Sequence, residues 1–219
     1  MVEKGAQGVY VANCISYGII QLRSQVLSVP PYQLFRDLID QGGERSIRCM
    51  INCLHGGKAI GSKCKVFKYF LVAKSVTDPG ILQTVLQAVR KAIVSGKGGE
   101  AALKYSPDCT FICPLDTIND NLKIVEDAIN ASGAKDSLGI GLSWQADTLF
   151  AADTKKYESE NPKAPFDNDQ FIEYHIKLLT DKPLITYLED PLATSEKAAW
   201  KKLIVHIFLF RIKLKRQMQ

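Results

Sequence analysis

Apolar and polar positions along the chain follow two periods. From Val9 to Ile39 the apolar residues recur at helical spacing and are interrupted at Val29-Pro30-Pro31. This predicts one helix through about Cys14–Leu27 and a second over Tyr32–Asp40, with Leu34, Phe35 and Leu38 on one side and Gly42-Gly43 as its stop. The period then changes. "IRCMINCL" is a short apolar run closed by "HGG", and "CKVFKYFLVA" alternates before turning wholly apolar, so the pair reads as two strands joined by a glycine-rich turn.

Helical spacing returns in "SVTDPGILQTVLQAVRKAIVSGKGG". Thr77 and Asp78 are capping residues there, Pro79 suits a first turn, Leu82, Val85, Leu86, Val89 and Ile93 form the apolar stripe, and Gly96 ends it. "DTINDNLKIVEDAINASG" repeats that logic, with Thr117 and Asp120 as a capping pair, Leu122, Val125 and Ile129 on the apolar face and Gly133 as terminator. "SLGIGLSWQA" and "LITYLED" then read as buried strands, separated by a helix over "DNDQFIEYHIKLLTDKP" and followed by a helix opening at "TSEKAAWKKL". Apolar strands alternating with helices predict an α/β fold with parallel strands covered by helices. In such folds the chemistry sits at the carboxyl ends of the strands. Glu189 and Asp190 lie at such an end, directly before Pro191. A strand end running into a helix cap would also account for two acids there, but the position suits holding a cation or a substrate.

Composition narrows the function classes. With 219 residues, 46 % hydrophobic and 23 % charged, the chain has ordinary globular make-up and length for about one domain and a half. Its net charge of +5 comes from lysines and arginines scattered among acids, gathering only in "FRIKLKRQ". That is not the basic face interleaved with aromatics of a nucleic-acid reader. The six cysteines, Cys14, Cys49, Cys53, Cys64, Cys109 and Cys113, lack the spacing and turn glycines of a structural zinc site and read as small buried hydrophobes. "MVEKGAQG" has no apolar core of a secretory signal, so reduced thiols in the cytoplasm are expected.

Taken in order, these segments resemble the enolase family, the glycolytic phosphopyruvate hydratases. "YLEDPLATSEKAAWKKL" looks like the family's "IEDP" strand end and the helix after it. "INCLHGGKAIGSK" is similar to its "N-x-x-N-G-G-S-H-A-G-N" loop, "LGIGLSWQADTLF" to its "IGMDVAASEFY" strand, and "ANCISYGIIQLRSQVLSVPPYQLFRDL" to helices of its N-terminal domain. The resemblance implies a helical remnant of the enolase N-terminal domain at 1–45, about the first half of an enolase-type TIM barrel at 46–203, and a divergent basic and apolar tail at 204–219. It also implies the family reaction, dehydration of 2-phosphoglycerate to phosphoenolpyruvate, with Mg²⁺ as cofactor, a homodimer and a cytoplasmic setting. The pattern of departures is similar to that of the enolase-like paralogue of animal sperm, which would suggest the flagellum.

Residue by residue, the resemblance places Glu189 at a magnesium-ligand and substrate-side glutamate. Ser143 falls at a second ligand, an aspartate in the family; Ala59 falls at the loop histidine, and Lys68 at a substrate-side glutamate. Asp108 lies near the glutamate of "D-E-G-G-F" and is the candidate proton donor. The family's third metal ligand, its lysine base and its phosphate grip fall beyond Leu203, where "IVHIFLFRIKLKRQMQ" departs from the pattern. The expectation is therefore an enolase-family chain with a damaged site, inactive by itself, whose half barrel leaves strand edges open and solubility poor. The alternatives are a non-catalytic scaffold retaining the enolase surface, and a binding module using "HGGKAIGSK", with Lys58 and Lys63, as an anion loop. The tail is too short to span a bilayer; its apolar and basic residues leave surface attachment open.

Overall fold

The structure, a computed structural model, describes residues 5–39, 48–75, 79–96 and 98–217. The chain divides into two units, Met1–Arg45 and Ser46–Gln219. In the first, α1 (Gly5–Leu27) and α2 (Pro31–Ile39) meet at a turn where Ser28 takes a left-handed backbone. Ser24 closes that turn, its hydroxyl donating to the Val29 carbonyl at 2.6 Å. Of the apolar side predicted for α2, Leu34 is buried but Phe35 is exposed; the glycine stop at 42 and 43 lies outside the described residues.

The second unit is built on one five-stranded sheet. Its strands are β1 (Met50–His55), β2 (Lys68–Ala73), β3 (Phe111–Ile112), β4 (Leu138–Ser143) and β7 (Ile185–Glu189), in the order β3-β1-β2-β4-β7. The helices are α3 (Pro79–Val94), α4 (Ile118–Ala131), α5 (Asn168–Asp181) and α6 (Lys197–Gln217); β5 (Phe150–Ala151) and β6 (Lys156–Tyr157) form a separate ribbon. β1 with β3 and β4 with β7 are parallel, but β2 is antiparallel to both its neighbours, so the sheet is mixed, and β1 and β2 are the pair that the glycine-rich turn joins. This is a partial barrel opening with an antiparallel pair.

Period-two alternation explains the layers. Tyr69, Leu71 and Ala73 of β2 are fully buried, as are Leu138, Ile140 and Leu142 of β4, and α3 and α4 supply Leu82, Val85, Val89, Leu122, Val125 and Ile129 to the same core. On the other face β4 carries Gly139 and Gly141. A Cβ on Gly141 would lie 3.0 Å from Val72 and 3.1 Å from the Tyr187 ring, so glycine lets Tyr187 cross β4 to meet Phe70, ring centres 6.5 Å apart.

Several boundaries differ from the sequence reading. β2 begins at Lys68, because Cys64–Phe67 is spent returning the loop to the sheet, with Gly56 and Gly57 N–H groups donating to the Phe67 and Cys64 carbonyls at 2.8 and 2.9 Å. β7 is not a buried strand: Thr186 and Tyr187 are exposed, because β7 is an outer strand of the described sheet. Half of the cysteines are not buried, Cys14, Cys49 and Cys109 being exposed. α6 runs past Leu203 to Gln217 without a break. Thr117 does cap α4, accepting from the Asp120 N–H, and Asp167 with Gln170 forms a full capping box on α5. The caps predicted for α3, Thr77 and Asp78, lie outside the described residues.

Candidate functional site at the strand ends

Register places four side chains in one row across the end of the sheet. His55 pairs with Lys68, Lys68 with Ser143, and Ser143 with Glu189. Laterally paired residues share a face, so the four project together from the carboxyl ends of β1, β4 and β7 and the amino end of β2. Glu189 stands last in the row and is half-buried.

Asp108 reaches the same row from a tight loop. Ser106 N–H donates to the Thr110 carbonyl at 2.9 Å, and Cys109 takes a left-handed backbone to close the turn. The Asp108 carboxylate accepts from Lys68 Nζ at 2.9 Å and Asn52 Nδ2 at 3.2 Å on one oxygen. On the other it accepts from His55 Nδ1 and Thr110 Oγ1, each at 3.0 Å, and from the Ser106 hydroxyl. Partial burial would raise its pKa, but the bonds from Ser106, Lys68, His55 and Thr110 outweigh that and hold it well below the ordinary carboxylate range. A carboxyl group so held is a base kept ionised at neutral pH, which suits it to anchoring Lys68 rather than to donating a proton. Its side chain is 39 % exposed, so the Lys68 pair counts for alignment more than for stability.

The resemblance implies a divalent cation at this row. Mg²⁺ wants oxygens in octahedral array. Beside Glu189 stands the Ser143 hydroxyl, one strand further the Lys68 ammonium, and every lone-pair direction of Asp108 is taken. Among the described residues no group of three or more His, Cys, Asp or Glu side chains is placed to hold a metal ion. These residues do not fit Mg²⁺. The two lysines of the glycine loop each have a carboxylate partner at the surface: Lys58 binds Glu158 at 2.5 Å, and Lys63 binds Asp116 at 2.9 Å.

The strand end carrying Glu189 is held by residues that pattern reading passed over. Trp144 N–H donates to the Glu189 carbonyl at 2.9 Å and Ala146 N–H to that of Asp190 at 3.1 Å, while Gln145 and Asp190 both take left-handed backbones. Behind them His175, fully buried, donates from Nε2 to the Pro191 carbonyl at 2.9 Å and lies 4.8 Å from the Trp144 ring. Burial pushes its pKa down to about 4, the Pro191 bond offsetting only part of that. His55 was equally unforeseen. Its place before "GG" at a strand end was the available signal, and the polar string Ser106-Pro107-Asp108-Cys109-Thr110 was the other.

The comparisons agree with this architecture. The sequence model of the family described as "Enolase, C-terminal TIM barrel domain" matches residues 48–211. The chain belongs to the enolase family. It is 25 % identical over 158 residues to an enolase of Metallosphaera sedula, covering 70 % of this chain and 37 % of that protein. To an enolase of Legionella pneumophila it is 26 % identical over 163 residues, 72 % of this chain and 37 % of the relative. To enolase B of Dictyostelium discoideum it is 24 % identical over 191 residues, 81 % and 42 %. The chain thus spans well under half the length of these curated enolases. No described helix is long and apolar enough to cross a membrane.

Proposed function

We propose that this chain is an enolase-family protein whose strand-end site has been rebuilt from cation-holding to cation-bearing. It does not by itself dehydrate 2-phosphoglycerate to phosphoenolpyruvate, the glycolytic reaction of the lineage, and serves as a non-catalytic scaffold in the cytoplasm. The helices of the first unit are its remnant of the enolase N-terminal domain, and a homodimer is its expected assembly. One observation carries the reading: Lys68 Nζ lies 2.9 Å from Asp108, spending on an internal ion pair the carboxylate that would otherwise face ligand. Ser143 beside Glu189 supports it, because one carboxylate and a hydroxyl cannot neutralise charge building up next to a substrate carboxylate.

The test is phosphoenolpyruvate formation from 2-phosphoglycerate with excess Mg²⁺, followed by ultraviolet absorbance, on a chain shown to be folded by circular dichroism. The expected rate is background, unchanged by Glu189→Gln. Turnover that Glu189→Gln abolishes would refute the proposal. Calorimetry adds a second readout: the double variant Lys68→Glu/Ser143→Asp gains Mg²⁺ affinity that the parent lacks.

A further inference from the structure

The outward side of α6 is apolar where the back of a surface helix is ordinarily polar. Ala199 and Leu203 are buried in the core of the second unit and Ile207 packs against it, which fixes the inward side of the helix. Lys202 ties α6 to α5 through Asp169 at 2.6 Å. At 3.6 residues per turn, Lys197, Lys201, Ile204, Val205 and Phe208 fall in one sector of about 100° on the opposite side. All five are exposed, and the apolar three stand 60 %, 54 % and 64 % open. Single exposed apolar residues are ordinary, but three neighbours on one face make a contiguous patch.

The charge of the same segment is one-sided. From Lys197 to Gln219 the sequence holds seven lysines and arginines and no aspartate or glutamate. Four of the seven, Arg211, Lys213, Lys215 and Arg216, come directly after the apolar patch in sequence.

That charge chooses among occupants. A second copy would lay seven cations against seven. A nucleic acid would satisfy the cations through its phosphates but would leave Ile204, Val205 and Phe208 without an apolar partner. A layer of anionic headgroups over hydrocarbon complements both features, since a helix with exposed apolar residues and a cluster of lysines and arginines lies in such an interface. No described helix is long and apolar enough to cross a membrane, so α6 would lie along the surface.

We propose that α6 docks this chain on an anionic lipid surface, with Ile204, Val205 and Phe208 entering the boundary between headgroups and acyl chains and the positive charge of the segment drawn to the headgroups. This goes beyond the scaffold reading and does not rest on the state of the strand-end row.

The test is flotation of the full chain, shown to be folded by circular dichroism, with vesicles of phosphatidylcholine containing about one-third phosphatidylserine or none, at about 0.1 M salt. Flotation is chosen because aggregated chain sinks. The chain is expected to float with the mixed vesicles and to bind pure phosphatidylcholine at least about tenfold more weakly. Replacing Arg211, Lys213, Lys215 and Arg216 together by glutamine is expected to weaken binding to the mixed vesicles about a hundredfold or more. Ile204→Ser/Phe208→Ser keeps every charge, alters only exposed side chains, and is expected to weaken it about tenfold. No flotation with the mixed vesicles, or equal binding to both kinds, overturns the proposal. Unchanged binding by a folded Ile204→Ser/Phe208→Ser chain also overturns it. Duplex DNA bound more tightly than the mixed vesicles, and equally by parent and Ile204→Ser/Phe208→Ser, would assign the face to nucleic acid instead.

Discussion

His175 gives the sharpest quantitative expectation. Its ring is fully buried against Trp144 and Phe171, 4.8 and 4.3 Å away, and donates from Nε2 to Pro191. A carbonyl acceptor needs a proton only on Nε2, so the folded chain holds the neutral ring, with a pKa of about 4 against 6.5 when exposed. Between those values the unfolded chain binds the extra proton, so stability rises with pH across this window and is lost as pH falls from 6.5 to 4. The full difference is about 3 kcal/mol, of which about 2 kcal/mol is gone by pH 5. His175→Phe keeps a ring of similar size and removes the titration, at a cost of about 1–3 kcal/mol near neutrality from the unpaired Pro191 carbonyl. Urea unfolding followed by circular dichroism at pH 7 and pH 5 would measure the gap between parent and variant. Groups common to both cancel, so the gap should shrink by about 2 kcal/mol. Parallel pH profiles would show that the ring is not held neutral, and would remove His175 as the support of the Glu189 strand end.

Two further expectations follow from single contacts. A Cβ on Gly56 would lie 2.3 Å from the Val66 carbonyl oxygen, a backbone atom, so Gly56→Ala is expected to cost about 3 kcal/mol or more, against a much smaller effect on a nearby exposed position such as Ala59→Ser; equal urea midpoints would refute the close approach. Lys68→Met removes one of the bonds that depress Asp108, so its carboxyl ¹³C titration should move upward from below the usual range, and an unmoved curve would break the assignment of Lys68 as its partner.

Much of this architecture is written in local patterns. The helix cap at Thr117 was legible because a cap needs only a side-chain oxygen three residues before a backbone N–H. The buried stripe of α3 and the apolar alternation of β2 were legible for the same reason. Sheet partners were not: whether β2 runs with or against β4 depends on connections, and β7 kept an apolar sequence although Thr186 and Tyr187 are exposed on an outer strand. At the site, the position of Glu189 at a strand end could be read, and so could the departure at Lys68. The contact between Lys68 and Asp108 could not, because it joins residues from a strand and a distant turn that only the fold brings together. His175 escaped for a related reason: on an amphipathic helix a histidine between Tyr174 and Ile176 reads as part of the polar face, and its burial is decided by Trp144 arriving from β4.

The outward side of β7 has a consequence for how this chain behaves in company. Among the described strands β7 has β4 alone as neighbour, and Tyr187 stands 38 % exposed along it. Amide and carbonyl groups on such a flank are unmet demand for another backbone, and a tyrosine beside them gives any visiting strand an apolar foothold. At high concentration this rim should therefore recruit a strand from another copy of the chain.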